Sequence, residues 1–246
     1  MEPQLPSPSR DPFPTTADPS GYIPRTATEA VLARLESALR EGADAVVLSG
    51  PAGSGKTLLL HILAARLDGD FHALYVPYPK LAPAELFSWI LAALGSAPAR
   101  DPEAALHERL VGDIEAGLPY PLLLVDDAGL APPETLRRLE ELREDLAGHL
   151  RSVLVRAEGA RLPGMRASVE DVALQGRMDP AEMSHYVKTR LDRAAVDASL
   201  RARLEGAIDL LHRHCEGNPA QLHAAIARIL CRSDGLARPP LPAAGH

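Results

Sequence analysis

The residues with the clearest capacity for chemistry form one short run, Gly50-Pro51-Ala52-Gly53-Ser54-Gly55-Lys56-Thr57, which fits the spacing G-x-x-x-x-G-K-[ST] at every fixed position. Gly50, Gly53 and Gly55 free the backbone to turn successive N–H groups inward, the arrangement that cradles a polyphosphate. A helix opening near Gly55 adds the positive end of its dipole, and the amides through Leu58 join the cradle. Lys56 is placed to reach the β- and γ-phosphates, and the Thr57 hydroxyl to ligate magnesium. Lysine occurs elsewhere only at Lys80 and Lys188, so its presence here is not a by-product of composition.

A second chemical element lies in Pro121-Leu122-Leu123-Leu124-Val125-Asp126-Asp127, an apolar run followed by two carboxylates. Alone, it reads equally as a strand ending in a solvated acidic turn. Behind a phosphate-binding loop it reads as the other half of an ATP site: a buried strand delivers Asp126 to the sheet edge where the loop also lies. Asp126 is then the residue that steers Mg2+ through water, and Asp127 the one that orients or deprotonates the attacking water.

Both groups need a scaffold, and the flanking sequence supplies one. Ala45–Ser49 is a short apolar run rich in β-branched residues, and the stretch from Leu58 to Leu67 is a mostly apolar helix. Further strands are expected at Phe71–Val76, Ser152–Val155 and Val169–Leu174. Helices are expected from Glu29, behind Thr28, to Arg40, Ala84 to Leu94, Asp101 to about Ala116, and Thr135 to about Leu150. Alternating strands and helices imply an α/β fold: a doubly wound, parallel, five-stranded sheet covered on both faces. From Asp179 only helices follow, to about Arg193, from Asp197 to about Cys215, and from Pro219 to about Cys231. The resulting division is a proline-rich tail over 1–21, an α/β nucleotide-binding domain over 22–176, a helical lid over 177–234, and a second tail over 235–246.

Bulk properties narrow the classes. The formal charge of −7 over 246 residues weighs against a strongly basic nucleic-acid surface. No apolar run reaches the roughly eighteen residues of a membrane span, and the N-terminus lacks a basic-then-apolar leader, so a cytoplasmic protein is expected. Cys215 and Cys231 read as reduced thiols in successive helices. His185, His212, His214 and His223 read as surface or packing residues, because no carboxylate or cysteine cluster completes a metal site. Tyr75, Tyr78, Phe87 and Trp89 read as core or interface residues, since no basic cluster interleaves them.

With those residues in place the chain resembles an AAA+ ATPase over Tyr22 to Ser233. More narrowly it looks like the secretion-ATPase branch of ExeA/GspA-type proteins and TniB- and MuB-like transposition ATPases. Tyr22-Ile23-Pro24 and the following helix are similar to the segment that opens that branch. Met178, Glu182, Tyr186, Val187, Arg190 and Leu191 resemble its strand-to-lid pattern, and Gly217-Asn218-Pro219 its "G-N-P-R" turn. The resemblance implies ATP and Mg2+ as ligands and a homo-oligomer or protein partner, with DNA a less favoured partner.

The chain departs from that family at three places. Asp127 stands where glutamate is usual, about 1.5 Å shorter in reach, and a misplacement of that order can lower a rate roughly a hundredfold. Arg156, Ala157 and Glu158 occupy the region where the fourth strand should end in an amide or hydroxyl sensing the γ-phosphate. Ala220 sits where the lid should present an arginine. Arg161 and Arg166 are candidates for the finger that reaches a neighbouring subunit's nucleotide. Binding groups are intact and hydrolytic groups altered, so the expected activity is Mg-dependent ATP binding with slow or partner-stimulated turnover. The alternatives are a non-hydrolysing nucleotide-bound adaptor, or a DNA-associated transposition or replication helper.

Overall fold

A computed structural model of the chain describes Phe13 and residues 17–77, 79–146, 148–164, 169–194 and 196–233, the side chains of 231–233 excepted. The described residues fall into two compact units, one over Ala17–Gln175 and one formed by the residues from Gly176 onward together with Phe13.

The first unit opens with α1 (Thr26–Arg40), followed by β1 (Ala45–Gly50), α2 (Lys56–Arg66), β2 (Phe71–Val76), α3 (Pro83–Ala93), α4 (Pro102–Glu115), β3 (Tyr120–Val125), α5 (Pro133–Asp145), β4 (Arg151–Ala157) and β5 (Glu170–Ala173). The strands form one parallel five-stranded sheet in the order β2-β3-β4-β1-β5. All six residues of β1 and the last five of β3 are buried, as strands covered on both faces must be. Val46, Leu48, Leu122, Leu124, Val153 and Val155 face the apolar sides of α1 and α2. The alternate residues, Val47, Leu123, Val125 and Leu154, face α3, α4 and α5. This is the doubly wound α/β architecture of a P-loop nucleoside triphosphatase.

α1 buries Val31, Leu32, Leu35, Ala38 and Leu39 at helical spacing. Its start is tied by the Tyr22 hydroxyl, 2.8 Å from both Thr28 Oγ1 and Glu29 Oε1. Arg66 at the end of α2 donates to both Glu29 oxygens at 2.9 Å, so the two helices are clasped over the same sheet face.

The second unit contains α6 (Pro180–Ala194), α7 (Ala198–Gly206), α8 (Ile208–Cys215) and α9 (Pro219–Ser233). Gly217, with φ of +75°, lets residues 216–218 turn against Met178, whose N–H donates to the Gly217 carbonyl at 2.9 Å. His212 Nε2 lies 3.0 Å from the Met178 carbonyl. The buried Cys215 thiol donates to the Leu211 carbonyl, and burial pushes its pKa up.

Three expectations are corrected. The helix expected to reach Leu150 stops at Asp145, because Gly148 at φ +81° turns the chain and buries Leu146 and Leu150 separately. The helix expected from Asp197 to Cys215 is two helices broken at Ala207 (φ −97°, ψ 1°). Leu204, Ile208, Leu211 and Cys215 keep helical spacing across that break, so periodicity conceals it, and Gly206 is its local signal. The expected tail over 1–21 includes a 3-10 turn at Pro19–Gly21 capped by Asp18, and Phe13 is fully buried edge-on to His223, 5.4 Å between ring centroids.

Candidate nucleotide-binding site

At the carboxyl edge of the sheet the chain leaves β1 through the glycine-rich loop. Gly53 and Gly55 have φ of +74° and +99°, the left-handed region that glycine enters without steric cost. Gly50 departs from expectation: it is the extended end of β1 and needs no such freedom. Its lack of a side chain is required by space, since a Cβ there would stand 2.8 Å from the Leu174 carbonyl oxygen. Pro51 accepts from Ser54 N–H at 3.3 Å, folding the loop back on itself, while Ala52 and Gly53 are exposed at its crest.

α2 begins at Lys56 behind Gly55, with no side chain capping its first turn. The leading amides of Lys56, Thr57 and Leu58 therefore lack intrahelical acceptors. Beside them the Ser54 hydroxyl is buried with no hydrogen-bond partner among the described residues. A buried polar atom left unpaired is unfavourable by about 1–3 kcal/mol. Uncapped amides and an orphaned hydroxyl on one loop fit a phosphate chain, which supplies acceptors to all of them.

Lys56 Nζ donates to the carbonyls of Gly50 and Pro51 at 2.9 and 2.8 Å. Burial lowers its pKa, opposed by the neighbouring carboxylates of Asp127 and Asp126. The ammonium thus rests against main-chain carbonyls of the loop, within the field of both acids.

Asp126 follows β3 and is buried at 7 % exposure. Its N–H donates to the Val76 carbonyl at 3.0 Å, extending the pairing with β2 by one step. Its carboxylate receives three donors: Thr57 Oγ1 at 2.7 Å and the Tyr75 hydroxyl at 3.0 Å on Oδ2, and the Asp127 N–H at 3.0 Å on Oδ1. Thr57 and Asp126, far apart in sequence, are thus joined, an oxygen pair suited to a hard cation such as magnesium. Asp127 has φ of +47°, a left-handed conformation that aspartate adopts more readily than most residues. The turn exposes its side chain beside the loop while Ala128 is buried.

The fourth strand separates two candidates. In the β1–β4 register Ser49 pairs with Arg156 and Gly50 with Ala157. Alternation puts Ala157 on the face of α2 and the phosphate loop, and Arg156 on the opposite face. There Arg156 is engaged, ion-paired to Asp171 of β5 and donating to the Ala160 carbonyl at 2.5 Å, while Ser49 Oγ donates to Asp171 at 2.6 Å. Arg161 is exposed, and Arg166 lies outside the described residues. In the second unit Ala220 is exposed in the first turn of α9.

Tyr75 was not read as a site residue from sequence, although its hydroxyl meets Asp126. The available signal was its position on β2: it pairs with Leu124, so Asp126 lies two residues further along the neighbouring strand on the same face.

The sequence profile of a family described as AAA domain matches residues 39–161, half of the chain. The chain belongs to the AAA domain family. The matched span of this AAA domain holds the loop, both aspartates and β4. No curated protein matches it in sequence. Solved structures do resemble the AAA domain in fold. The Walker-type ATPase PABY2304 of Pyrococcus abyssi is similar at a TM-score of 0.59 and 15% identity, over 87% of this chain and 69% of that one. The RuvB Holliday junction branch migration motor of Thermotoga maritima is similar at 0.55 and 18%, over 93% and 69%. A chain of Drosophila ORC bound to DNA is similar at 0.60 and 16%, over 96% of this AAA domain and 64% of its own length.

Proposed function

We propose that this AAA domain binds ATP with magnesium at the Gly50–Leu58 loop and couples nucleotide state to assembly with further copies or a protein partner, with slow or partner-stimulated hydrolysis. The observation that carries the reading is the 2.7 Å hydrogen bond between Thr57 and Asp126, set beside the orphaned Ser54 hydroxyl and the uncapped start of α2. In this reading Gly50, Pro51, Ala52, Gly53, Ser54, Gly55, Lys56, Thr57 and Leu58 form the phosphate cradle. Lys56 exchanges its loop carbonyls for phosphate oxygens. Thr57 and Asp126 would hold the magnesium, which would neutralise phosphate charge when bound.

Asp127 is the residue we assign to the attacking water, which it would orient or deprotonate. Its short side chain and the methyl group of Ala157 leave hydrolysis under-equipped, which supports slow turnover. The helices from α6 to α9 would act as the lid, and the affinity we favour within the AAA+ group is with the ExeA-like branch, on the Met178–Leu191 pattern and the Gly217-Asn218-Pro219 turn. Arg161, and Arg166 with it, would be the groups offered to a neighbouring copy's nucleotide.

Calorimetric titration with ATP, with and without Mg2+, combined with phosphate release, tests this. The wild-type chain is expected to bind ATP, more tightly with Mg2+, and Lys56→Ala to lose that binding. Absence of ATP uptake by the wild-type chain, or turnover that is brisk with no partner present, contradicts the proposal.

A further inference from the structure

Asp126 is not held by the phosphate loop alone. Its Oδ2 carries two donors, Thr57 from the start of α2 and Tyr75 from β2, the strand at the edge of the sheet. The Tyr75 ring in turn rests on His61, one helical turn beyond Thr57, with 4.5 Å between ring centroids and 47° between planes. Ring and hydroxyl therefore bridge the helix that carries the cation-binding threonine and the strand end that carries the cation-steering acid.

We propose that Tyr75 is a positioning residue for the divalent cation, setting the direction of the Asp126 carboxylate through its hydroxyl while His61 braces its ring. The inference rests on the magnesium–nucleotide reading of the site and adds a residue to it. A carboxylate that steers a cation through water must present defined lone pairs. With Oδ1 held by the Asp127 N–H and one side of Oδ2 by Thr57, the Tyr75 hydroxyl adds a third donor that narrows rotation of the group about its Cβ–Cγ bond. Outer partners of metal-site ligands commonly change metal affinity by about 10- to 100-fold when removed. The Tyr75 hydroxyl donates to the carboxylate of Asp126, so its effect should fall on the cation and not on phosphate binding.

Tyr75→Phe removes one oxygen and keeps the ring on His61. ATP binding is measured by calorimetry in EDTA and across a Mg2+ series. For Tyr75→Phe the affinity in EDTA is expected to match wild type, while the Mg2+ concentration giving half of the affinity gain rises about tenfold. His61→Leu, which keeps the hydroxyl and loosens the ring, is expected to move the same quantity in the same direction by less. An unchanged Mg2+ half-point, with or without a lower Tm, assigns the hydroxyl to stability alone and overturns the proposal. An equal loss in EDTA and in Mg2+ overturns it as well. If wild-type ATP binding gains nothing from Mg2+, the parent reading fails and takes this one with it; a normal wild-type gain with a wild-type-like Tyr75→Phe sinks this inference only.

Discussion

Ala157 stands level with Gly50 across the β4–β1 pairing, so the strand tip facing the phosphate loop ends in a methyl group while Arg156, one residue earlier, is turned to the far face and held by Asp171. A polar side chain at that tip would reach toward the end of a bound triphosphate; a methyl offers nothing to developing charge. Single preorganised donors of this kind are worth roughly 10²- to 10³-fold in rate. Ala157→Asn is therefore expected to raise phosphate release by about tenfold or more over wild type, leaving ATP affinity nearly unchanged. Steady-state release assays on both proteins, with Lys56→Ala as the background, check this.

Asp127 offers a second handle on the same step. Asparagine tolerates its left-handed φ of +47° as well as aspartate does, so Asp127→Asn preserves the turn and removes only the carboxylate charge. ATP binding and Tm should hold, and residual phosphate release should fall by about 10²-fold or more. Release that is unaffected would favour the non-hydrolysing adaptor.

Tyr22 makes stability depend on pH in the alkaline range. Burial, with a further contribution from Glu29, raises its pKa from the ordinary 10.0 to about 12, against the lowering effect of Thr28. The folded protein keeps the phenolic proton after the unfolded chain has lost it. Its contribution is complete below pH 10 and drains away as pH climbs toward 12. Denaturant titrations should show wild type losing more stability than Tyr22→Phe across that window. At pH 7, where the phenol is protonated in both folded and unfolded chains, Tyr22→Phe should be the less stable by ~1 kcal/mol for the lost hydrogen bonds.

Gly217→Ala should damage the helical unit severely. The added Cβ would lie 2.2 Å from the Met178 carbonyl oxygen, and φ of +75° strains any β-carbon. Backbone cannot yield as a flexible side chain can, so a loss of about 3 kcal/mol is expected. Thermal unfolding followed by circular dichroism reads it; a Tm within a degree or two of wild type would contradict the geometry.

Most of the scaffold was legible from residue order alone, because its causes are local. β1 and β3 are apolar runs of strand length, α2 follows a glycine-rich turn, and Asp101 and Asp197 announce helix starts that the structure keeps, each accepting from the amide three residues on. The glycine-rich loop is legible for the same reason, since its spacing fixes where the backbone must turn. The break at Ala207 escaped because a helix and a slightly kinked pair bury the same residues.

What residue order could not decide is where side chains point once strands pair. The direction of Arg156 away from the loop and of Ala157 toward it follows from the β1–β4 register, which no local preference dictates. The Tyr75 hydroxyl finds Asp126 only because β2 lies beside β3 with Tyr75 opposite Leu124. Residue order alone determined the glycine-rich loop and the strand that ends at the two acids, since each is a local pattern of spacing and apolar residues. The partners that orient those groups come from segments distant in the chain, and only the closing of the sheet brings them within hydrogen-bond reach.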